Sequence, residues 1–350
     1  MINSGKRILA LMLSMLLMLG MLSGCDNKAE PPVQTSNAEQ TPEEPQIVEP
    51  PEEARTLKVL TLGHSLALDC SHLLALIAQT EGFGDLVVGT LYYSGCPLYK
   101  HVQFMENDMP EYNLYISSTE NANTPPVITE GVTMRQALTF DYWDIIVMQG
   151  GVFEIAEDAK YKDGNIQRIQ KFVNENKLNP LARFAWNSPW APPTDNDLRD
   201  KYPYESNPYY TSYVPYGDDR AVFFTSIAKC LENNILTDDT FEFMIPSGTA
   251  IENALSSYLE EKDIHRDYVH ATDFSRVIAS YLWYCKLAGI AQLEEIKLDA
   301  IPRVFFKSTV GAEDRVLTEL EKAIILESVN NALKDPLKMT PSQYTVAPTE

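Results

Sequence analysis

The run Asp144-Ile145-Ile146-Val147-Met148 narrows the folds open to this chain more than any other segment. After Asp144 it has no polar residue to turn toward water, and it is too short to make a helix. A strand that is apolar on both faces needs cover on both, the condition of a parallel strand inside a sheet sandwiched between helices. Partner strands are available. Leu57 to Leu62, Leu86 to Leu91, Phe184 to Trp186 and Phe241 to Ile245 read as strands. Helices are predicted over Leu66 to Thr80, Asn165 to Asn176, Asp219 to Asn233, Thr249 to Glu260, Thr272 to Leu287 and Glu313 to Ala332. Strands alternating with helices predict an α/β fold with a parallel sheet covered on both faces. In open sheets of this kind, sites form at the carboxyl ends of strands. The residues following Leu62, Leu91, Met148, Trp186 and Ile245 are therefore the places to look for chemistry.

Two segments precede this domain. Lys6 and Arg7 are followed by an apolar stretch from Ile8 to Leu22 that ends in Leu22-Ser23-Gly24-Cys25. The stretch is short for a membrane span. Small residues before Cys25 let a peptidase reach the backbone, and the cysteine sulfur is a nucleophile for diacylglycerol transfer. The segment resembles a bacterial lipoprotein signal, which implies a leader over 1–25 and a membrane anchor through lipid on Cys25, at the extracytoplasmic face. An uncleaved N-terminal anchor is the alternative, and it too places the domain outside the cytoplasm. From Asp26 to Arg55 the chain is rich in Pro and Glu and poor in large apolar residues, so it reads as a disordered tether. The folded domain is expected over 56–340.

The 350-residue chain carries a formal net charge of −21, which disfavours nucleic acid and other polyanions. Cys70, Cys96, Cys230 and Cys285 contain no CxxC pair, so a zinc ribbon is not expected. Export permits disulfides among them; buried thiols are the other reading.

Four strand ends carry candidate residues. Gly63-His64-Ser65 follows the first strand, so the Ser65 hydroxyl sits at the sheet edge and its N–H near a helix N-terminus. That suits an activated nucleophile beside an oxyanion donor; it also suits a serine that merely caps the helix. Tyr93-Ser94-Gly95-Cys96-Pro97-Leu98 follows the second strand, and Gly95 would let a backbone N–H approach a ligand closely, or simply make a turn. Gln149-Gly150-Gly151 follows the third, where a carboxamide could donate to a developing oxyanion. Asp267-Tyr268-Val269-His270 precedes a late helix, and its spacing lets the carboxylate reach the imidazole, fixing its tautomer. His265 competes with His270 for that role.

In this order the features resemble the SGNH (GDSL-like) hydrolase superfamily over about Leu57 to Leu287, and most of all a bacterial subfamily of uncharacterised exported members. Leu62-Gly63-His64-Ser65, Ser94-Gly95-Cys96-Pro97-Leu98, Trp143 to Gln149, Ser247-Gly248-Thr249-Ala250 and Asp267-Tyr268-Val269-His270 carry the resemblance. Gln149-Gly150 is similar to the Gln-Gly-Glu motif of sialate and xylan acetylesterases, although two glycines follow Gln149 here. His64 stands where the superfamily usually has Asn or Asp, Gln149 stands in for its Gly-x-Asn-Asp block, and Ala-Thr-Asp-Phe-Ser follows His270. The resemblance implies a three-layer α/β/α sandwich around a mostly parallel, flavodoxin-like five-stranded sheet. It implies a catalytic triad of Ser65, His270 and Asp267, and an oxyanion hole from Ser65, Gly95 and Gln149. No metal or organic cofactor is required.

The function expected is that of an extracytoplasmic serine esterase removing O-acyl groups, acetyl above all, from a carbohydrate. His64, Trp186 and Trp190 are candidate substrate contacts. A tyrosine-rich insertion over about 190–218 (Tyr202, Tyr204, Tyr209, Tyr210, Tyr213 and Tyr216) suits sugar rings, or pins itself by its own aromatics. A catalytically silent surface protein that binds glycans is the rival from another class. A transporter's solute-binding lipoprotein is a third, and it would need two similar lobes.

Overall fold

A computed structural model describes residues 56–152, 154–194, 219–302 and 314–347. The leader, Cys25, the tether and residues 195–218 of the tyrosine-rich insertion lie outside the described residues.

The elements are β1 (Leu57–Gly63), α1 (Ser65–Ser71), α2 (Leu74–Glu81), β2 (Leu86–Tyr92), α3 (Leu98–Glu106), β3 (Tyr112–Ser118), β4 (Val127–Val132), α4 (Met134–Leu138) and β5 (Ile145–Gln149). They continue with α5 (Asp158–Tyr161), α6 (Asn165–Asn176), β6 (Arg183–Asn187), α7 (Arg220–Asn234), β7 (Phe241–Ile245), α8 (Ser247–Leu255) and α9 (Glu261–Ile264). Last come α10 (Asp273–Ala288), β8 (Ala300–Ile301), β9 (Arg315–Val316) and α11 (Glu319–Lys334). The main sheet has the order β4-β3-β2-β1-β5-β6-β7. Its five strands β2-β1-β5-β6-β7 are parallel, in flavodoxin-like order, and β3 and β4 extend it antiparallel at the β2 edge. The α/β architecture with a mostly parallel sheet is as expected. The strand number is corrected from five to seven. β4 escapes a hydrophobicity reading because all but its last residue are exposed.

Successive residues of the central strands feed two separate cores, one on each face. Ile145 and Val147 join Val59, α2, α8, α10 and α11 on one face. Ile146 and Met148 join Leu60, Leu62, α3, α6 and α7 on the other. Gly89 on β2 is required by the Trp143 indole, which a Cβ there would meet at 2.7 Å. The helix expected over Leu66 to Thr80 is two helices. The break follows Ser71, whose hydroxyl turns inward to Thr90 and Leu68 instead of outward. Packing continues past residue 340, with the Tyr258 N–H donating to Tyr344 O at 2.8 Å. Cys70, Cys96, Cys230 and Cys285 are buried free thiols. Among the described residues, no helix is long and apolar enough to cross a membrane.

Candidate active site

At the carboxyl end of β1 the chain turns through His64 directly into α1. Gly63 is needed there, since a Cβ would come to 2.6 Å of the Ala67 Cβ. The helix cap is His64, not Ser65. His64 has an extended backbone, and its ring Nδ1 accepts the Leu66 N–H at 3.3 Å. Ser65 is the first helical residue, half-buried, and its hydroxyl is not spent on capping. Among the described residues that hydroxyl makes no hydrogen bond.

The segment between α9 and α10 holds the imidazole. Asp267 Oδ1 accepts the backbone N–H groups of Val269 and His270 at 3.0 and 2.8 Å, which fold the carboxylate back over its own turn. His270 Nδ1 then lies 2.9 Å from Asp267 Oδ2 and 3.0 Å from Oδ1. Burial alone would raise the Asp267 carboxyl. The hydrogen bond from His270, its charge and the two backbone N–H groups outweigh burial and hold it well below the usual carboxylate range. The carboxylate can only accept, so Nδ1 carries a proton toward it, and Nε2 has no partner among the described residues. Trp190 Nε1 steadies the turn by donating to Val269 O at 2.7 Å. His265 does not compete. It is buried, its Nε2 faces the Arg220 guanidinium at 3.0 Å, and burial with that cation drives its pKa well down.

Asp69 links the two halves of the site. It lies four residues after Ser65, one turn along the same face of α1. Its fully buried carboxylate accepts the Ala271 N–H at 3.1 Å, Arg276 Nε at 2.8 Å and Arg266 Nη1 at 3.2 Å. The helix that opens with Ser65 is thus fastened to the residue immediately after His270. Burial opposes the Asp69 charge, but Arg276 and Arg266 hold its pKa low. His270 is near enough to perturb the ionisation of both Asp69 and His64.

The remaining blocks converge on the same rim. Gly95 has φ +58 in a turn closed by the Cys96 N–H on Tyr93 O. Gln149 is buried at the end of β5. Asn187 Nδ2, from the end of β6, donates to Gln149 Oε1 at 2.5 Å, and Asn187 Oδ1 accepts from Ser247 Oγ and Trp283 Nε1. This chain of donors orients the Gln149 amide nitrogen toward His64 Nε2, 2.8 Å away. Because Leu66 occupies Nδ1, His64 carries its proton on Nε2 and donates it to Gly150 O at 3.0 Å. The Gln149 amide nitrogen carries two hydrogens, so one side turned to His64 leaves the other for a further acceptor. Burial lowers the His64 pKa to about 4, so the ring stays neutral.

Three expected substrate contacts are corrected by burial. Trp186 and Trp190 have no free ring face. Trp186 packs against Tyr161 and Phe241, and Trp190 holds the Asp267–His270 turn. His64 is buried as a helix cap. Among the described residues, no group of His, Cys, Asp and Glu is placed to hold a metal ion.

Over residues 58–299 the sequence matches a family described as a domain of unknown function, DUF4886. The chain belongs to the DUF4886 family. A DUF4886 protein from Bacteroides uniformis ATCC 8492 is similar in structure, with a TM-score of 0.67 at 21% identity over 82% of this chain and 98% of that one. A Slackia heliotrinireducens protein, considered an SGNH hydrolase, gives a TM-score of 0.39 at 14% identity over 66% of this chain and 98% of that one. A salicylyl-acyltransferase from a tetracycline biosynthetic pathway gives 0.35 at 16% identity over 68% and 55%. No curated protein matches.

Ser65, Gly95, Gln149, Asp267 and His270 all fall inside the DUF4886 match. Sequence reasoning missed Asp69 and Asn187. A signal existed for the first, an acidic residue one helical turn after the candidate nucleophile. For Asn187 the signal was its place after the fourth apolar strand, the same rule that pointed to Gln149.

Proposed function

We propose that this DUF4886 protein is a serine esterase of SGNH type, held outside the cytoplasm by lipid on Cys25, that removes O-acyl groups from a carbohydrate. The observation that carries the reading is the Asp267–His270 pair, with Nδ1 bound to the carboxylate and Nε2 open, fastened through Asp69 to the helix that Ser65 opens. In this mechanism Ser65 Oγ attacks the ester carbonyl carbon as its proton passes to His270 Nε2. Asp267 steadies the imidazolium. The carbonyl oxygen, now an oxyanion, is held by the N–H groups of Ser65 and Gly95 and by the Gln149 amide. His270 returns the proton to the departing alcohol oxygen. Water, deprotonated by His270, then clears the acyl group from Ser65. Ser65 and His270 share no hydrogen bond in the free protein, and catalytic hydrogen bonds often tighten only in the complex.

The carbohydrate and the acetyl group are inferred from the superfamily resemblance and from the expected surface location. The rival, a glycan-binding protein without activity, has lost the aromatic faces of Trp186 and Trp190 that would have served it. The test is hydrolysis of 4-nitrophenyl acetate by wild type and Ser65→Ala. Turnover is expected to fall by at least about 10³-fold while the melting temperature is nearly unchanged. Undiminished hydrolysis by the variant would end the esterase reading.

A further inference from the structure

Three residues beyond Gly151, the loop after β5 carries a carboxylate, Glu154. It is buried, and a single oxygen, Oε2, accepts two backbone N–H groups at once: Leu98 at 2.8 Å and Gly151 at 3.1 Å. These belong to different loops. Leu98 opens α3, directly behind the turn that holds Gly95. Gly151 lies two residues after Gln149. Pro97 gives α3 no side-chain cap, so a carboxylate from 56 residues away satisfies that orphan donor instead. The loops are also in contact, since a Cβ on Gly151 would meet Pro97 Cα at 2.8 Å and Glu154 Oε2 at 2.9 Å. Burial raises the Glu154 pKa, and the two N–H groups offset part of that cost. A leucine there would avoid the desolvation, but it could not join two backbone donors.

Resting on the esterase reading, we infer that Glu154 is the positioning residue of the oxyanion hole, fixing the Gly95 N–H relative to the Gln149 carboxamide by pinning both loops to one oxygen. Glu154 touches neither substrate nor Ser65. Its effect is geometric. Oxyanion donors must sit about 2.7–3.1 Å from where the charge develops, and a displacement of about 1 Å can cost about 10²-fold in rate.

The experiment compares wild type, Glu154→Gln, Glu154→Asp and Glu154→Ala in the full chain. It reads kcat and KM for 4-nitrophenyl acetate, and the inhibition constant of phenylboronic acid, whose tetrahedral adduct on Ser65 places an oxygen in the hole. Both N–H groups meet one oxygen, so the carbonyl of Gln can accept both, and Glu154→Gln is expected to stay within a few-fold of wild type. Glu154→Ala and the too-short Glu154→Asp are expected to lose about 10- to 100-fold in kcat. KM should change little, and boronate binding should weaken in parallel. A merely structural role would lower the melting temperature and leave the kcat of the folded fraction alone. Should Glu154→Ala not fold, the contrast between Gln and Asp decides. An active wild type with equal kcat in the folded variants overturns this proposal alone. A wild type inert to both ester and boronate overturns the esterase reading and this proposal together.

Discussion

His64 is a neutral imidazole doing the work of a helix cap. Its ring accepts from Leu66, donates to Gly150, and is sealed from solvent beside Gln149. Folding in the neutral form has a consequence for stability. The pKa of His64 is about 4 in the native protein and about 6.5 in an unfolded chain. Between those values the unfolded state binds a proton that the native state does not, so stability falls as pH falls from about 6.5 toward 4. For this one group the full loss is roughly 3 kcal/mol. His101 and His265 act in the same sense. Glu154 and Glu252, with raised pKa values, act in the opposite sense, so the raw slope does not isolate the histidine. The comparison with His64→Asn does. The urea midpoint of wild type is expected to drop more between pH 7 and pH 5 than that of the variant. Parallel curves would show that His64 is not a buried neutral group.

At the scale of elements, α1 and the turn before α10 act as one unit because Asp69 binds both. Arg276 is largely buried against it, and Arg266 is more exposed and contributes less. Asp69→Ala takes the nearest carboxylate from Arg276, which keeps Asp273 at 3.6 Å, and leaves the Ala271 N–H unpaired. A loss of about 1–3 kcal/mol is expected, read from urea unfolding, together with lower kcat in the folded fraction. Asp69→Asn can keep the Ala271 bond and should lose less. An unchanged midpoint in Asp69→Ala would remove the clasp from the account. Much of this level was legible in the chain. β5 was readable because burial on both faces leaves Ile145 to Met148 without a polar residue to mislead, and α6 because its apolar residues keep helical spacing. β4 was not readable, since an exposed edge strand has no pattern to keep. The break between α1 and α2 depends on Ser71 meeting Thr90, a contact set by the sheet and not by local sequence.

The whole molecule is a twin-cored sheet whose carboxyl rim gathers residues from Ser65 to His270. The blocks were legible because strand ends mark the rim wherever strands can be found, and the Asp-x-x-His spacing is short enough to act locally. The fastenings were not. Asp69 to Ala271 spans 202 residues and Glu154 to Leu98 spans 56, and no pattern in the chain announces such a pairing. His64 read as a substrate contact and Trp186 as a sugar platform because a sequence does not tell a rim residue from one just beneath it. Activity in this protein requires Ser65 to be a nucleophile that His270 can deprotonate. A fluorophosphonate probe on the full-length wild-type chain tests that most directly, because it bonds covalently only to an activated serine. The expected result is one label, mapped to Ser65 and lost in both Ser65→Ala and His270→Ala. A folded wild type that takes no label, or takes it at another residue, would contradict the account.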